Sequence, residues 1–436
     1  MKKQVWRGSA VLSVLLAMIV CSPAPAAETG GLRELNRPGE PYHTPLAGEG
    51  FRGVAFGREV VVAPEDRRSV NAWTVGAQVN LDEPDERLVI PFGSVYLWRH
   101  PDDHTLFRAE LAGLYDDVLY ARSPSGWGPF ELVLSFQNYT LPLDRSEVVD
   151  GEKLQDEQLT WGYVRPGFGL GYRRQTWPGN EDNMFALDFL VEPSYSYYSK
   201  GSDAAAGFVP PQDTSELRGV LQLRWDSLVR NILSLPHRGV ALRADAVYGH
   251  RHDWGRWGLP PELEETGGRD YRYVTGYLLG AGGVPFVKSE RHRLLGAFYG
   301  GAGSNLDRFT APRVGGGPEP LGEEFGSTAM PVLPGAAIHE FFPDHYAILI
   351  GEYRWEPIFF TYFHVRAAVA RLDRLRRNDT GGIYHSTDDF AALGMGITTG
   401  FFFKLRLCLD YSYNTGVIRD HDHGGNEVVL RVSRPF

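Results

Sequence analysis

The 436-residue chain has two cysteines, and beyond its first 26 residues only Cys408. An internal disulfide framework is therefore excluded. Beyond that leader there is no run of about 18 apolar residues, which excludes a helical membrane span. Positive charge is not in excess: 44 basic residues face 54 acidic ones, for a net charge of −10. That balance argues against nucleic acid as a partner. There is no repeat of solenoid or propeller period and no heptad pattern. No G-x-S-x-G serine precedes residue 213, where a lipase domain ahead of a barrel would carry one.

The N-terminus has the layout of an export signal. Lys2, Lys3 and Arg7 precede an apolar stretch from Ala10 to Cys21, and Ala24 and Ala26 form an A-x-A cleavage site. Met18-Ile19-Val20 before Cys21 is a poor lipobox, so lipidation is not expected. Loss of residues 1–26 removes three basic side chains and takes the charge from −10 to −13. Residues 27–50 are polar and rich in Gly and Pro, and read as a short periplasmic or lumenal leader. The whole chain is rich in Gly (51), Tyr (21), Phe (24) and Trp (10), nearly all of them beyond residue 26. High Gly and aromatic content, modest hydropathy and export suit a transmembrane β-barrel. They also suit a secreted β-sandwich or propeller.

Alternation of apolar and polar residues favours the barrel. In residues 237–250 Val240, Leu242, Ala244, Ala246 and Tyr248 share one face, opposite Arg243 and Asp245. In 217–226 Leu217, Leu221, Leu223 and Trp225 oppose Arg218, Gln222, Arg224 and Asp226. In 404–413 Leu405, Leu407, Leu409, Tyr411 and Tyr413 oppose Lys404, Arg406, Asp410 and Ser412. The last strand sets Val428, Leu430, Val432 and the terminal Phe436 against Glu427, Arg431 and Ser433. A charge on the lipid face near the midplane costs roughly 2–4 kcal/mol. Arg224, Arg243, Asp245, Arg406, Asp410 and Arg431 are accordingly expected to face a water-filled or ion-paired lumen. About sixteen such strands fit residues 51–436, including segments at 51–63, 105–121 and 426–436. The expected fold is thus an all-β, antiparallel transmembrane barrel. An even strand count puts both termini on one side, the periplasm. The long connections 143–157, 201–212, 255–269 and 305–343 then face outward, and short ones such as DEPDE (82–86), PGNED and KSER face inward.

Three features resemble the BamA-type surface-antigen barrels of bacterial outer membranes. The alternating terminal strand ending in Phe436 resembles their assembly signal. The stretch WDSLVRNILSLPHRG, with Trp225, Asp226, Arg230, Asn231, Pro236, Arg238 and Gly239, resembles one of their periplasmic turns. Residues 344–436 carry further segments in the same order, so the resemblance covers 213–436. It implies that the loop holding Arg313, Gly315, Gly316 and Gly322 folds back into the lumen. The Arg-Gly-aromatic anchor usual there is missing: Leu321 precedes Gly322 and Glu323 follows. Arg313 is the candidate substitute. Residues 27–50 leave no room for the periplasmic POTRA domains of relatives that insert barrels.

The expected role is to assist transport or insertion of protein or lipid at the bacterial outer membrane, with outer-membrane lipid, the barrel-assembly machinery and a separate periplasmic protein as partners. A passive diffusion pore is the alternative. A lipid hydrolase is less favoured, because lumen-facing Ser412 and Ser433 have no histidine assigned beside them, and so is a secreted β-rich binding module. No catalytic residue, cofactor or metal is expected. Asp420, His421, Asp422 and His423 splay apart in an extended loop, and their spacing favours no coordination geometry.

Overall fold

The structure is a computed structural model that describes residues 32–35, 42–55, 57–65, 67–82, 88–140, 144–175, 184–259, 268–317, 331–377, 383–401, 405–419 and 422–434. Sixteen antiparallel strands close into one barrel. They are β1 (Ser69–Asn80), β2 (Val89–Asp102), β3 (Thr105–Leu111), β4 (Tyr115–Arg122), β5 (Phe130–Thr140), β6 (Leu159–Gln175), β7 (Met184–Lys200), β8 (Thr214–Asp226), β9 (Pro236–Arg251), β10 (Asp270–Gly283), β11 (His292–Ser304), β12 (His345–Ile358), β13 (Thr361–Arg377), β14 (Ile383–Phe401), β15 (Leu405–Arg419) and β16 (Asp422–Arg434). The last strand closes on the first in a ladder from Glu427–Asn80 to Arg434–Trp73.

The two-residue period divides the wall into two faces, as strand geometry requires. Along β12 exposed and buried positions alternate almost without a break. Outward rows carry Leu349, Val365, Val369, Leu393, Met395 and Leu430. Inward rows carry buried charged and polar groups, among them Glu192, Arg218, Glu352, Arg366 and Arg406. The outer wall is bounded by rings. At the end where β1 begins and β16 ends, the terminal end, Phe130, Tyr172 and Phe185 make T-shaped contacts, Trp225 pairs across from Phe185, and Trp355 lies against His292 and Phe363. At the other end Tyr195, Tyr248 and Tyr411 donate their hydroxyls to Asp213 (3.2 Å), Asp270 (2.7 Å) and Asn426 (2.5 Å). An apolar ring with a polar tip suits the boundary between lipid and water.

Two expectations about the early strands are corrected. Residues 51–63 are not in the wall: Phe51–Ala55 and Arg58–Val62 form a hairpin, joined in parallel by Arg33–Glu34, in a separate three-stranded sheet. Its alternation exists because one face is covered by the barrel mouth. The segment 105–121 is two strands, because the chain reverses at Gly113, whose positive φ of 78° suits glycine. The barrel therefore begins at Ser69, and the count of sixteen survives because one strand is lost and one gained. β1 ends and β2 begins at the end with the long loops, opposite to the end expected for DEPDE, of which 83–86 lie outside the described residues. The parity of every connection after β4 stands.

Candidate functional site

The chemistry of this protein lies inside the barrel, which is filled at both ends. At the terminal end the N-terminal sheet forms a lid. Phe51, Val60 and Val62 pack with Leu233, Leu235, Phe359, Phe360 and Tyr362. The β8–β9 turn is built to receive it. Asp226 accepts hydrogen bonds from the Leu228 amide (2.8 Å) and the Arg230 guanidinium (2.5 Å). Asn231 Oδ1 accepts from the amides of Leu233 (3.0 Å) and Leu235 (2.9 Å). Gly239 has φ +107°, and a side chain there would strike the Ser227 carbonyl. So ordered, the turn exchanges backbone bonds with the leader: Ala47 N–H to Arg230 O and Ile232 N–H to Pro45 O, each 3.0 Å. Pro236 starts β9, and its carbonyl accepts from Arg354 (3.3 Å). Trp225 points outward into the aromatic ring.

At the opposite end the connection between β11 and β12 turns back into the lumen. Its two described limbs, 305–317 and 331–344, pair with each other through Val314–Phe341 and Gly315–Val332 bridges. Arg313 makes a two-pronged contact with Glu147, both bonds 2.9 Å. Glu147 belongs to the β5–β6 connection rather than the wall. Burial alone would push its carboxyl up, but the Arg313 guanidinium overrides that and holds it well below the usual carboxylate range. Arg308 lies 2.5 Å from Glu157 of the same connection and over the ring of Trp257. Two further pairs fix the loop to the wall. Arg251 of β9 meets Asp307 at 2.7 Å with both side chains essentially buried, and Arg419 of β15 grips Glu340 at 2.6 and 2.7 Å. In both, the arginine is on the wall and the acid on the loop. The anchor implied by the resemblance has the opposite polarity.

Gly315 and Gly316 lie where this loop crosses the wall. A side chain on Gly316 would collide with the Ala336 carbonyl, with Glu427 and with Gln78. Glu427 of β16 accepts the amides of Gly335 (2.8 Å) and Gly317 (3.2 Å) and bonds the Gln78 amide. Gln78 of β1 in turn donates to Ala336 O (2.7 Å) and accepts from the Ile338 amide (2.8 Å). Apolar loop residues Val314, Leu333, Ala336 and Phe341 pack on the inner wall against Ile348, Phe390 and Val417. Around the mouth Trp161, Phe208, Trp254 and Trp257 form a second cluster.

The six lumen charges expected from the sequence all lie on inward rows. Arg243 pairs with Asp245 (2.7 Å), and Arg224 donates to Gln222 (3.1 Å). Arg406 donates to Ser433 and to Leu233 O, both 3.0 Å, and so ties β15 to the β8–β9 turn. Asp410 accepts from Arg366 (3.4 Å) and Cys408 (2.9 Å) and bonds His364. Arg431 stands across from Cys408. Cys408 and His364 thus share one carboxylate, an arrangement that cements the wall. Val428, Leu430 and Val432 face outward. Phe436, Gly322, Asp420 and His421 lie outside the described residues. Among the described residues no group of three or more His, Cys, Asp or Glu is placed to hold a metal.

A closed wall with an oily exterior, boundary rings and an ion-paired interior defines a bacterial outer-membrane β-barrel. No family model matches the chain, and no curated protein matches it. Among similar solved structures is BamA from Haemophilus ducreyi lacking POTRA domains 1–3, with 10% identity, 88% of this chain and 75% of that chain covered, and a TM-score of 0.48. CdiB from Escherichia coli has 13% identity, coverages of 91% and 68%, and a TM-score of 0.45. CdiB from Acinetobacter baumannii has 11% identity over 86% of this chain, a TM-score of 0.45, and only 61% of its own length spanned.

Proposed function

We propose that this chain assists the passage or insertion of polypeptide or lipid at the outer membrane, with its termini in the periplasm and a separate periplasmic protein as partner. One observation carries the reading: the interior is closed twice, by a lid at the terminal end and by a loop held in place through buried ion pairs. A passive pore needs a standing aqueous path. A barrel that must release a plug before anything passes suits a gated conduit or an assembly scaffold. The turn motif and terminal strand add the resemblance noted above. Planar-bilayer recording of the purified protein tests the closure, and brief, rare openings are expected. Steady large conductance would identify a diffusion pore. Vesicles carrying the protein should also speed the folding of a urea-unfolded outer-membrane protein into the bilayer. Equal rates in empty vesicles would remove the insertion role.

A further inference from the structure

The wall is not evenly closed, and β2 exposes the gap. Its ladder with β1 runs from Val89–Val79 to Arg99–Ser69. Its ladder with β3 stops at Val95–Leu111, because the β3–β4 turn reverses the chain just beyond. Among the described residues, Val89 to Ser94 pair on one side alone. The Asn80 amide bonds Leu88 O and the His100 amide bonds Arg68 O, so even-numbered residues of β2 direct their backbone groups to β1. Antiparallel geometry then sends those of Val89, Pro91 and Gly93 to the open side.

The lower part of this edge is at lipid depth. Outward-facing Arg99, bonded to Asn71 (2.5 Å), marks the start of the apolar band on β2. At about 3.3 Å per residue and a tilt near 40°, Gly93 stands ~15 Å and Pro91 ~20 Å above it, within a band ~25 Å tall. Lipid tails cannot satisfy backbone groups, and each one left unpaired costs several kcal/mol. Side chains on both faces are apolar here: Val89 and Pro91 outside, Ile90 and Phe92 inside.

We propose that this edge is a docking site for an extended membrane strand of a different polypeptide, which completes the ladder beside Val89–Ser94. A second copy does not fit. An axis along the membrane normal would lay two β2 edges parallel and level, with donors facing donors. Pro91 has no N–H to offer and so shortens the ladder, which makes the docking reversible. The inference rests on the broken ladder and stands apart from the role proposed above.

The test uses the full-length protein in phosphatidylcholine vesicles, with a benzophenone side chain in place of Val89 or, as a control on the lipid face of β8, Leu221. The probe is a biotinylated peptide of residues 239–250, which has the required alternation, beside a scrambled peptide of the same composition. Heat-modifiable migration confirms that each protein is folded. The expected result is a peptide adduct at position 89 at least tenfold above position 221 and above the scrambled control, raised several-fold further by Pro91→Val, which restores a donor. Equal yields at the two positions, equal yields for the two peptides, adducts between two copies, or no change with Pro91→Val would each overturn the proposal.

Discussion

Replacing Asp307 by asparagine isolates one anchor of the lumenal loop. The side chain keeps its shape and its Oδ1, which accepts the amides of Phe309 (3.0 Å) and Thr310 (3.1 Å), so the local turn persists. What is lost is the charge opposite Arg251 and the Oδ2 acceptor of its guanidinium, which an amide NH2 replaces. Arg251 is 1% exposed and retains the ring of Trp254 at 3.8 Å, the ring of Tyr271 at 5.2 Å and Thr310 at 3.5 Å, none of which neutralises it. Breaking a buried pair by removing one partner costs about 3–5 kcal/mol. The three remaining contacts place this case near the lower bound of about 3 kcal/mol, which shifts the docked-to-free balance of the loop about a hundredfold, at about 1.4 kcal/mol per decade. Trypsin reports the change, since Arg308 and Arg313 become accessible only when the loop leaves the lumen. Bilayer recordings should show a matching rise in open probability. Adding Arg251→Met removes the stranded charge and should recover most of the protection. If Asp307→Asn is cleaved and conducts like the parent protein, the loop is not held by this pair and the argument fails.

Other perturbations address separate parts. The carboxyl of Glu147 is held below its unfolded value, so its contribution is complete above ~4.3, the unfolded value, and fades as pH falls through the folded one. Loop protection from acid-active proteases should therefore persist at pH 5 and decline only in stronger acid, whereas in Glu147→Gln it should already be weakened at pH 7. Phe51→Ala removes a fully buried ring from the lid, at about 3–5 kcal/mol, and should produce frequent openings in bilayers without loss of heat-modifiable migration. Gly316→Val should unseat the loop as Asp307→Asn does, by steric collision, and trypsin would cut the first limb at Arg308 and Arg313. Deleting Phe436 should abolish recovery of the folded form from outer membranes; normal recovery would remove the terminal-signal reading.

How much of this was legible depended on whether the information was local. From β5 onward the wall could be read directly, because each strand carries its own alternation and each face meets a single solvent. The hairpin at 51–62 was misread because a strand lying over a barrel mouth has the same pattern as one in the wall. The β3–β4 reversal was hidden because Ala112-Gly113-Leu114 is as apolar as the strands it joins. Arg313 was identifiable as an anchor, but its partner Glu147 is 166 residues away in another loop. Arg251–Asp307, Arg419–Glu340 and Glu427 with the Gly335 amide bridge 56, 79 and 92 residues, with no motif to connect them. The open edge of β2 leaves one local trace, Pro91 in the apolar first residues of the strand.

Gln78 and Glu427 belong to the first and last strands of the cylinder, and they come together only when the sheet has gone full circle. Since the plug rests on both, its seat is complete only once the circle is closed. A half-built molecule lacks part of the stopper's seat, and a finished one has the whole of it. The seam that completes the wall is thus also the last support of the stopper.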